Sequence, residues 1–142
     1  MVKATVAAPA GVPVRIGALV YDLLLVTALV MLTFALFLPF SGGEAVTGIW
    51  TQLVIPGVTF AYYSFCWLKS GQTLGMLAWR LKLVNEKGGS VSFGQCLIRS
   101  LVAPFSIALA FLGYIWFYIG SAQQTWHDRA SHTYVVRLPK TP

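Results

Sequence analysis

"RIGALVYDLLLVTALVMLTFALFLPF", residues 15–40, is apolar almost throughout, yet it carries Arg15 at its start and Asp22 seven positions later. At about 1.5 Å of rise per residue, a helix of this length exceeds the roughly 30 Å hydrocarbon core of a bilayer. Two further apolar runs follow, at 49–68 and 101–119. The 142-residue chain is 57% hydrophobic and 10% charged, against about 25% charged in soluble domains. Its mean hydropathy is +0.73. A soluble helical core would need polar faces on these runs, and they have none. The composition therefore predicts an integral membrane protein whose principal partner is the lipid bilayer.

The charges sit mostly between the apolar runs. Lys69, Arg80, Lys82, Lys87 and Arg99 stand against the single acid Glu86, whereas the linker at 41–48 carries Glu44 and no Lys or Arg. Basic loops stay on the cytoplasmic side, so the Lys69–Arg99 segment and the N-terminus are expected inside and Glu44 outside. The net charge of +6 then reads as membrane orientation, and no nucleic-acid motif accompanies it. Cys66 and Cys96 read as packing thiols. The first apolar run is too long for a signal peptide and is read as an anchor helix.

Within this frame, residues 1–12 form a flexible tail, 13–137 the transmembrane domain and 138–142 a C-terminal tail. Trp50 and Trp67 bracket the second helix as interfacial anchors, and Pro56-Gly57 predicts a kink. "WRLKLV", 79–84, alternates apolar and basic residues as a strand does, and "NEKGG" followed by "SVSF" suggests that it folds back as a hairpin. Ser92 and Gln95 fit a capping box opening the third helix. A plain third crossing would put Arg129, Arg137 and Lys140 outside, against the charge bias. "TYVVR", 133–137, also reads as a strand able to pair with "WRLKLV". Both points favour a bent hairpin between Leu101 and Ile119, with Pro104 and Gly113 as bending points and the C-terminus on the same face as the basic loop. The expected fold is thus an all-α integral membrane protein: two full transmembrane helices, a third apolar helix or bent hairpin, and a small cytoplasmic-face β-hairpin.

Four charged residues lie in or beside the apolar helices: Arg15, Asp22, Arg99 and Asp128. Arg15 at the boundary can snorkel to lipid phosphates. Asp22 is too short to do so, and facing lipid it would cost about 2.5–3.5 kcal/mol. It must face protein, with a cationic or hydrogen-bonding partner. Arg99 is the first choice, with Arg80 and the Arg129 region as alternatives. His127, Asp128 and His132 offer a weak metal-ligand pattern, better read as a structural network. No Ser-His-Asp order, phosphate loop or paired carboxylates point to an enzyme, and no cofactor is implied.

Together these residues resemble the RDD family of bacterial integral membrane proteins, named for one arginine and two aspartates. Arg15 opening the first helix, Asp22 within it and Asp128 near the end take those places. "GQTLGMLAWRLKLVNEKGGSVSF", 71–93, is similar to the family's Gly-Gln-Thr-x-Gly segment and the basic stretch after it. Arg99 matches an arginine common in the next helix, and "HDRASHTYVV" resembles the family's close. Ser131-His132 stand where Ala-Gly is usual, and Trp126 replaces a common leucine. The resemblance implies a multi-pass protein of the bacterial inner membrane whose molecular function is largely undefined; transport of unidentified ligands has been proposed for the family, and here the candidate is a small ion or solute. Asp22 would then be the titratable site, with Arg15, Arg99 and Asp128 as gate or counter-ions. Two or three helices enclose no pathway alone, so this role requires a homo-oligomer. The alternative is a non-transport accessory, assembly or scaffold protein in which the charges serve packing.

Overall fold

The computed structural model describes residues 8–108, 112–119 and 124–139. Pro13 sits in the first turn of α1 (Val12–Phe37), where the amide it lacks would have no partner. A short 3-10 turn, Leu38–Ser41, ends the run at Gly42. α2 (Ile49–Ser70) runs unbroken through Pro56 and closes at Gly71, whose left-handed φ of 72° lets its amide cap the Trp67 carbonyl. α3 (Leu74–Ala78) is capped by Thr73, and β1 (Leu81–Asn85) follows. The Asn85 side chain closes the next turn by accepting from the amides of Lys87 and Gly89. The expected Ser92–Gln95 capping box opens α4 (Phe93–Ala108), with reciprocal bonds of 3.0 and 3.3 Å. α5 (Leu112–Ile119), α6 (Trp126–Ser131) and β2 (Thr133–Arg137) complete the chain.

β1 pairs with β2, antiparallel, in a register that sets Leu81 opposite Arg137 and Asn85 opposite Thr133. The expected hairpin with "SVSF" is therefore not formed: residues 90–92 adopt no strand, because Ser92 caps α4. Of the two pairings the sequence allowed, the structure has the non-local one. Pro9 bridges Val136, and Ala10 donates to the Val135 carbonyl at 2.9 Å. Residues 8–10, expected to belong to a mobile tail, are thus pinned to β2, and Ala10 is fully buried.

These pairings gather residues 8–10, residues 133–137 and the 71–92 segment into one cap. Beneath the cap lies the core: Ala10, Ala18, Trp67, Met76, Leu81, Leu83, Val91, Cys96 and Val135. Away from it the helices expose large apolar side chains, such as Met31, Leu36 and Phe37 of α1, Leu53 of α2 and Phe105 of α4. Such a surface is stable against lipid and not against water. α1 has one buried stripe, Val12, Arg15, Ala18, Asp22 and Val26, spaced at helical intervals and facing the cap.

Among the described residues one helix, Val12–Ser41, is long and apolar enough to cross a membrane. α2, expected as a second full span, has 22 residues, but polar residues such as Gln52, Tyr62, Tyr63 and Ser64 dilute it below the same measure. α4 is described over 16 residues, up to Ala108, where the described residues break off. The bend expected between Pro104 and Gly113 falls partly on residues 109–111, outside the described residues.

Trp67, expected as an interfacial anchor, is instead buried in the core, 7% exposed, beneath the Arg99 guanidinium. The first helix touches the cap most closely at two glycines. A Cβ on Gly17 would lie 2.6 Å from the Trp79 ring, and one on Gly75 would strike the Ala18 carbonyl oxygen and come within 2.8 Å of Asp22 Cγ. Gly57 has open space around it. Gly75→Ala is therefore expected to cost about 1–3 kcal/mol through overpacking. Gly57→Ala, inside α2, should be neutral or stabilising by up to about 1 kcal/mol. Thermal unfolding of the two variants in mild detergent checks the contrast.

Candidate functional site: two buried carboxylates

Each acid expected to matter is buried, but their partners differ from expectation. Asp22 is 2% exposed and touches no arginine among the described residues. Its Oδ1 accepts from the Tyr62 hydroxyl at 2.8 Å and the Gly75 amide at 2.9 Å. Its Oδ2 accepts from the Thr73 hydroxyl at 2.5 Å. The expected Asp22–Arg99 pair is thus overturned, whereas the expectation that Asp22 faces protein with hydrogen-bond donors holds. Arg99 is taken elsewhere, and the α3 segment reaches Asp22 first.

The 71–75 segment explains itself as a carboxylate cradle. Gly71 ends α2 and passes so near β1 that a Cβ would lie 2.7 Å from the Leu83 carbonyl oxygen. Gln72 Nε2 donates to the Leu81 carbonyl at 2.7 Å, fixing the loop on β1. The Thr73 hydroxyl accepts from the Met76 amide at 3.1 Å while donating to Asp22. Gly75 presents its amide where any side chain would clash. Two glycines, an amide and a hydroxyl at these spacings are what the approach of a buried carboxylate to a helix start requires.

Asp128 is fully buried and lies between two guanidiniums: Nη1 of Arg15 donates to Oδ2 and Nη1 of Arg99 to Oδ1. It also accepts from the Thr125 amide, completing a capping box that opens α6. Arg15 donates through Nε to the Ala10 carbonyl at 2.9 Å and through Nη2 to the Val135 carbonyl at 3.4 Å. Arg99 donates to the Thr133 hydroxyl at 3.1 Å and stacks over the Trp67 ring at 5.4 Å. Arg15, read as able to snorkel, is 7% exposed and turned into the protein.

Burial alone would push the Asp128 carboxyl up, but the Arg99 and Arg15 guanidiniums outweigh it and hold the group far below the usual carboxylate range. His127 is lowered as well, from 6.5 to about 3, by burial first and then by the nearby Arg99. Its Nε2 shares a hydrogen bond with the Thr125 hydroxyl. His132, by contrast, is exposed and meets Glu86 at 2.7 Å. The two histidines thus lie in different surroundings, and no group of three His, Cys, Asp or Glu among the described residues is arranged for a metal.

Tyr62, Thr73, Gly75, Trp67 and Thr133 escaped sequence reasoning as partners. The visible signal was the Gly-Gln-Thr-x-Gly spacing, which marks an amide-and-hydroxyl loop, and the Thr125/Asp128 spacing of a capping box. Ser64 Oγ and Trp67 Nε1 are buried with no hydrogen-bond partner among the described residues; Trp67 offers Arg99 its ring instead.

Two outcomes follow. Asp128→Asn leaves two buried guanidiniums facing each other, and breaking such an arrangement from one side costs about 3–5 kcal/mol. Asp22→Asn keeps an acceptor for Tyr62 and Gly75 and should cost less. Adding Arg99→Gln to Asp22→Asn should then lower folded yield further, since the two residues are not partners; yield and thermal unfolding in detergent measure this. The second outcome concerns pH. The folded chain keeps the His127 imidazole neutral down to about pH 3, while an unfolded chain protonates it near 6.5. The unfolded state therefore takes up the proton first. Stability present above pH 6.5 falls as pH drops through that window, by up to about 1.4 kcal/mol per unit. His127→Gln should flatten the unfolding curve between pH 6.5 and about 5.

Neither the curated proteins nor the solved structures yield a match to this chain. The RDD family profile matches residues 9–132, which span Arg15, Asp22, the 71–75 cradle, Arg99 and Asp128. This stretch covers most of the chain and contains both carboxylate sites, so the protein is a membrane protein belonging to the RDD family.

Proposed function

We propose that this chain is a non-enzymatic, multi-pass protein of the bacterial inner membrane that handles protons or a small monovalent cation at Asp22. The observation that carries the reading is the difference between the two acids. Asp128 is neutralised by two arginines, whereas Asp22, in the apolar first helix, has only neutral donors. A buried carboxylate without a counter-charge is where a proton or cation gains most by binding. Tyr62 and Thr73 place two hydroxyl oxygens beside it, at 2.8 and 2.5 Å, and such oxygens suit a hard monovalent ion as well as a proton. Arg15, Arg99 and Asp128 then serve as the lock that holds the cap on the helices, and not as the counter-ions of Asp22.

The same reading sets the cap against the cytoplasm. Arg80, Lys82, Lys87 and Arg137 belong to the segments that build the cap, Lys69 stands in the last turn of α2 just before it, and basic residues stay inside. Pairing of Pro9 with Val136 and of β1 with β2 supports both termini on one side, hence an even number of crossings. Enclosing a pathway falls to a homo-oligomer.

A second reading, an accessory or scaffold protein, is favoured by one observation: both Asp22 oxygens already accept bonds from the chain itself. Liposomes holding the purified full chain and a pH-sensitive dye separate the two. The expected outcome is cation-driven proton flux in the wild type, lost in Asp22→Asn at comparable folded yield. Flux no greater than in protein-free liposomes would favour the scaffold. Reporter fusions at Lys87 and at the C-terminus are expected to report the cytoplasmic side; an external C-terminus would restore three plain spans.

A further inference from the structure

A groove of about 400 Å³ opens between α4, α5 and α6, lined by Val102, Trp116, Trp126, Arg129 and Ala130. It lies apart from both carboxylates. Trp116 and Trp126 form one wall, their ring centroids 6.2 Å apart and tilted at 56°. Among the described residues, Arg129 is the only charged one in the lining. Its side chain is exposed and makes no hydrogen bond or ion pair among the described residues, because its neighbour Asp128 is committed to Arg15 and Arg99. We propose that this groove is a binding site for an anionic phospholipid, with the phosphate on the Arg129 guanidinium and the start of an acyl chain along Val102 and the tryptophans.

Four features select this occupant. Tryptophan favours the headgroup level of a bilayer, and the two rings put the groove there. A guanidinium pairs with phosphate through two parallel N–H bonds. The rest of the lining is apolar, which suits a lipid tail and not a free anion. A net charge of +6, uncompensated at Arg129, disfavours a headgroup that carries its own ammonium. The groove is lined by residues of all three helices, so a bound lipid would brace α6, the element that carries Asp128, against α4 and α5.

The test is native mass spectrometry of the full chain in mild detergent, titrated with equimolar phosphatidylglycerol and phosphatidylcholine. Wild type is expected to retain phosphatidylglycerol with about fivefold preference, and Arg129→Gln to lose that preference with an unchanged melting temperature. Ala130→Phe, which fills the groove and keeps every charge, should lose it as well. Lys82→Gln and Lys87→Gln, a half-buried and an exposed cation elsewhere on the cap, should keep it. A preference that survives both groove variants, or that falls equally in the two lysine variants, overturns the site in favour of diffuse charge. Displacement of the lipid by millimolar glycerol phosphate overturns the lipid as occupant and leaves a free phosphate in its place.

Discussion

The carboxylate of Asp128, held between the guanidiniums of Arg15 and Arg99, is the interaction on which the rest of the structure depends. It joins the start of α1, the second turn of α4 and the opening of α6, three segments far apart along the chain. The triad carries a net charge of +1, so the pair attraction alone leaves it unbalanced. The remaining donors are absorbed by carbonyls of Ala10 and Val135, the Thr133 hydroxyl and the face of Trp67. Those acceptors are themselves parts of the sheet, the N-terminal bridge and α2. Burying charge is costly unless every lone pair and proton is used, and here that requirement recruits nearly every element of the cap. The gain lies in specificity: few other arrangements of the same helices satisfy two arginines and one aspartate together.

Asp22 answers a different constraint. It shares a face of α1 with Arg15, about 10 Å further along the axis, yet it belongs to another network. The short α3 helix presents an amide and a hydroxyl to it, and Tyr62 of α2 adds a third donor. In this chain the arginine and two aspartates for which the family is named are therefore not one triad. The arginine pairs with the second aspartate, and the first is held by neutral groups on the loop that the family's glycine, glutamine and threonine build. The Gly-Gln-Thr-x-Gly spacing is the imprint of that loop on the sequence. Each residue in it is fixed by backbone geometry or by a hydrogen bond to β1, α3 or Asp22.

What the sequence revealed was what local physics determines. The apolar run at 15–40, the Ser92–Gln95 cap, the strand character of 79–84 and 133–137 and the need for Asp22 to face protein are all statements about neighbouring residues and solvent. What it hid was partner choice. Asp22 and Arg99 were matched by expected depth, but depth fixes only one of three coordinates, and the loop after α2 lies between them. Trp67 reads as an anchor from its place at a helix end. Its burial follows only once Arg99 needs a ring to stack on. The hairpin reading failed for the same reason: a local turn was visible at "NEKGG", whereas the competing strand lay some fifty residues away, and Ser92 was already engaged in capping.

The arrangement also explains how a cap with little apolar core stays ordered. Its buried set is unusually polar: among the described residues Arg15, Asp22, Thr73, Arg99, Thr125, His127, Asp128, Ser131 and Thr133 lie alongside the nine apolar residues of the core cluster. In water such a core would gain little from burial. In a membrane protein the helices beneath the cap are covered by lipid, so most apolar surface goes to the bilayer and not to the core. Hydrogen bonds that fix directions then take the place of a large oily interior in selecting one structure. Both networks hang from a single stripe of α1, with Arg15 and Asp22 two helical turns apart. A rotation of that helix large enough to free Asp22 would also carry Arg15 away from Asp128, which ties the uncompensated acid to the charge lock without any contact between them.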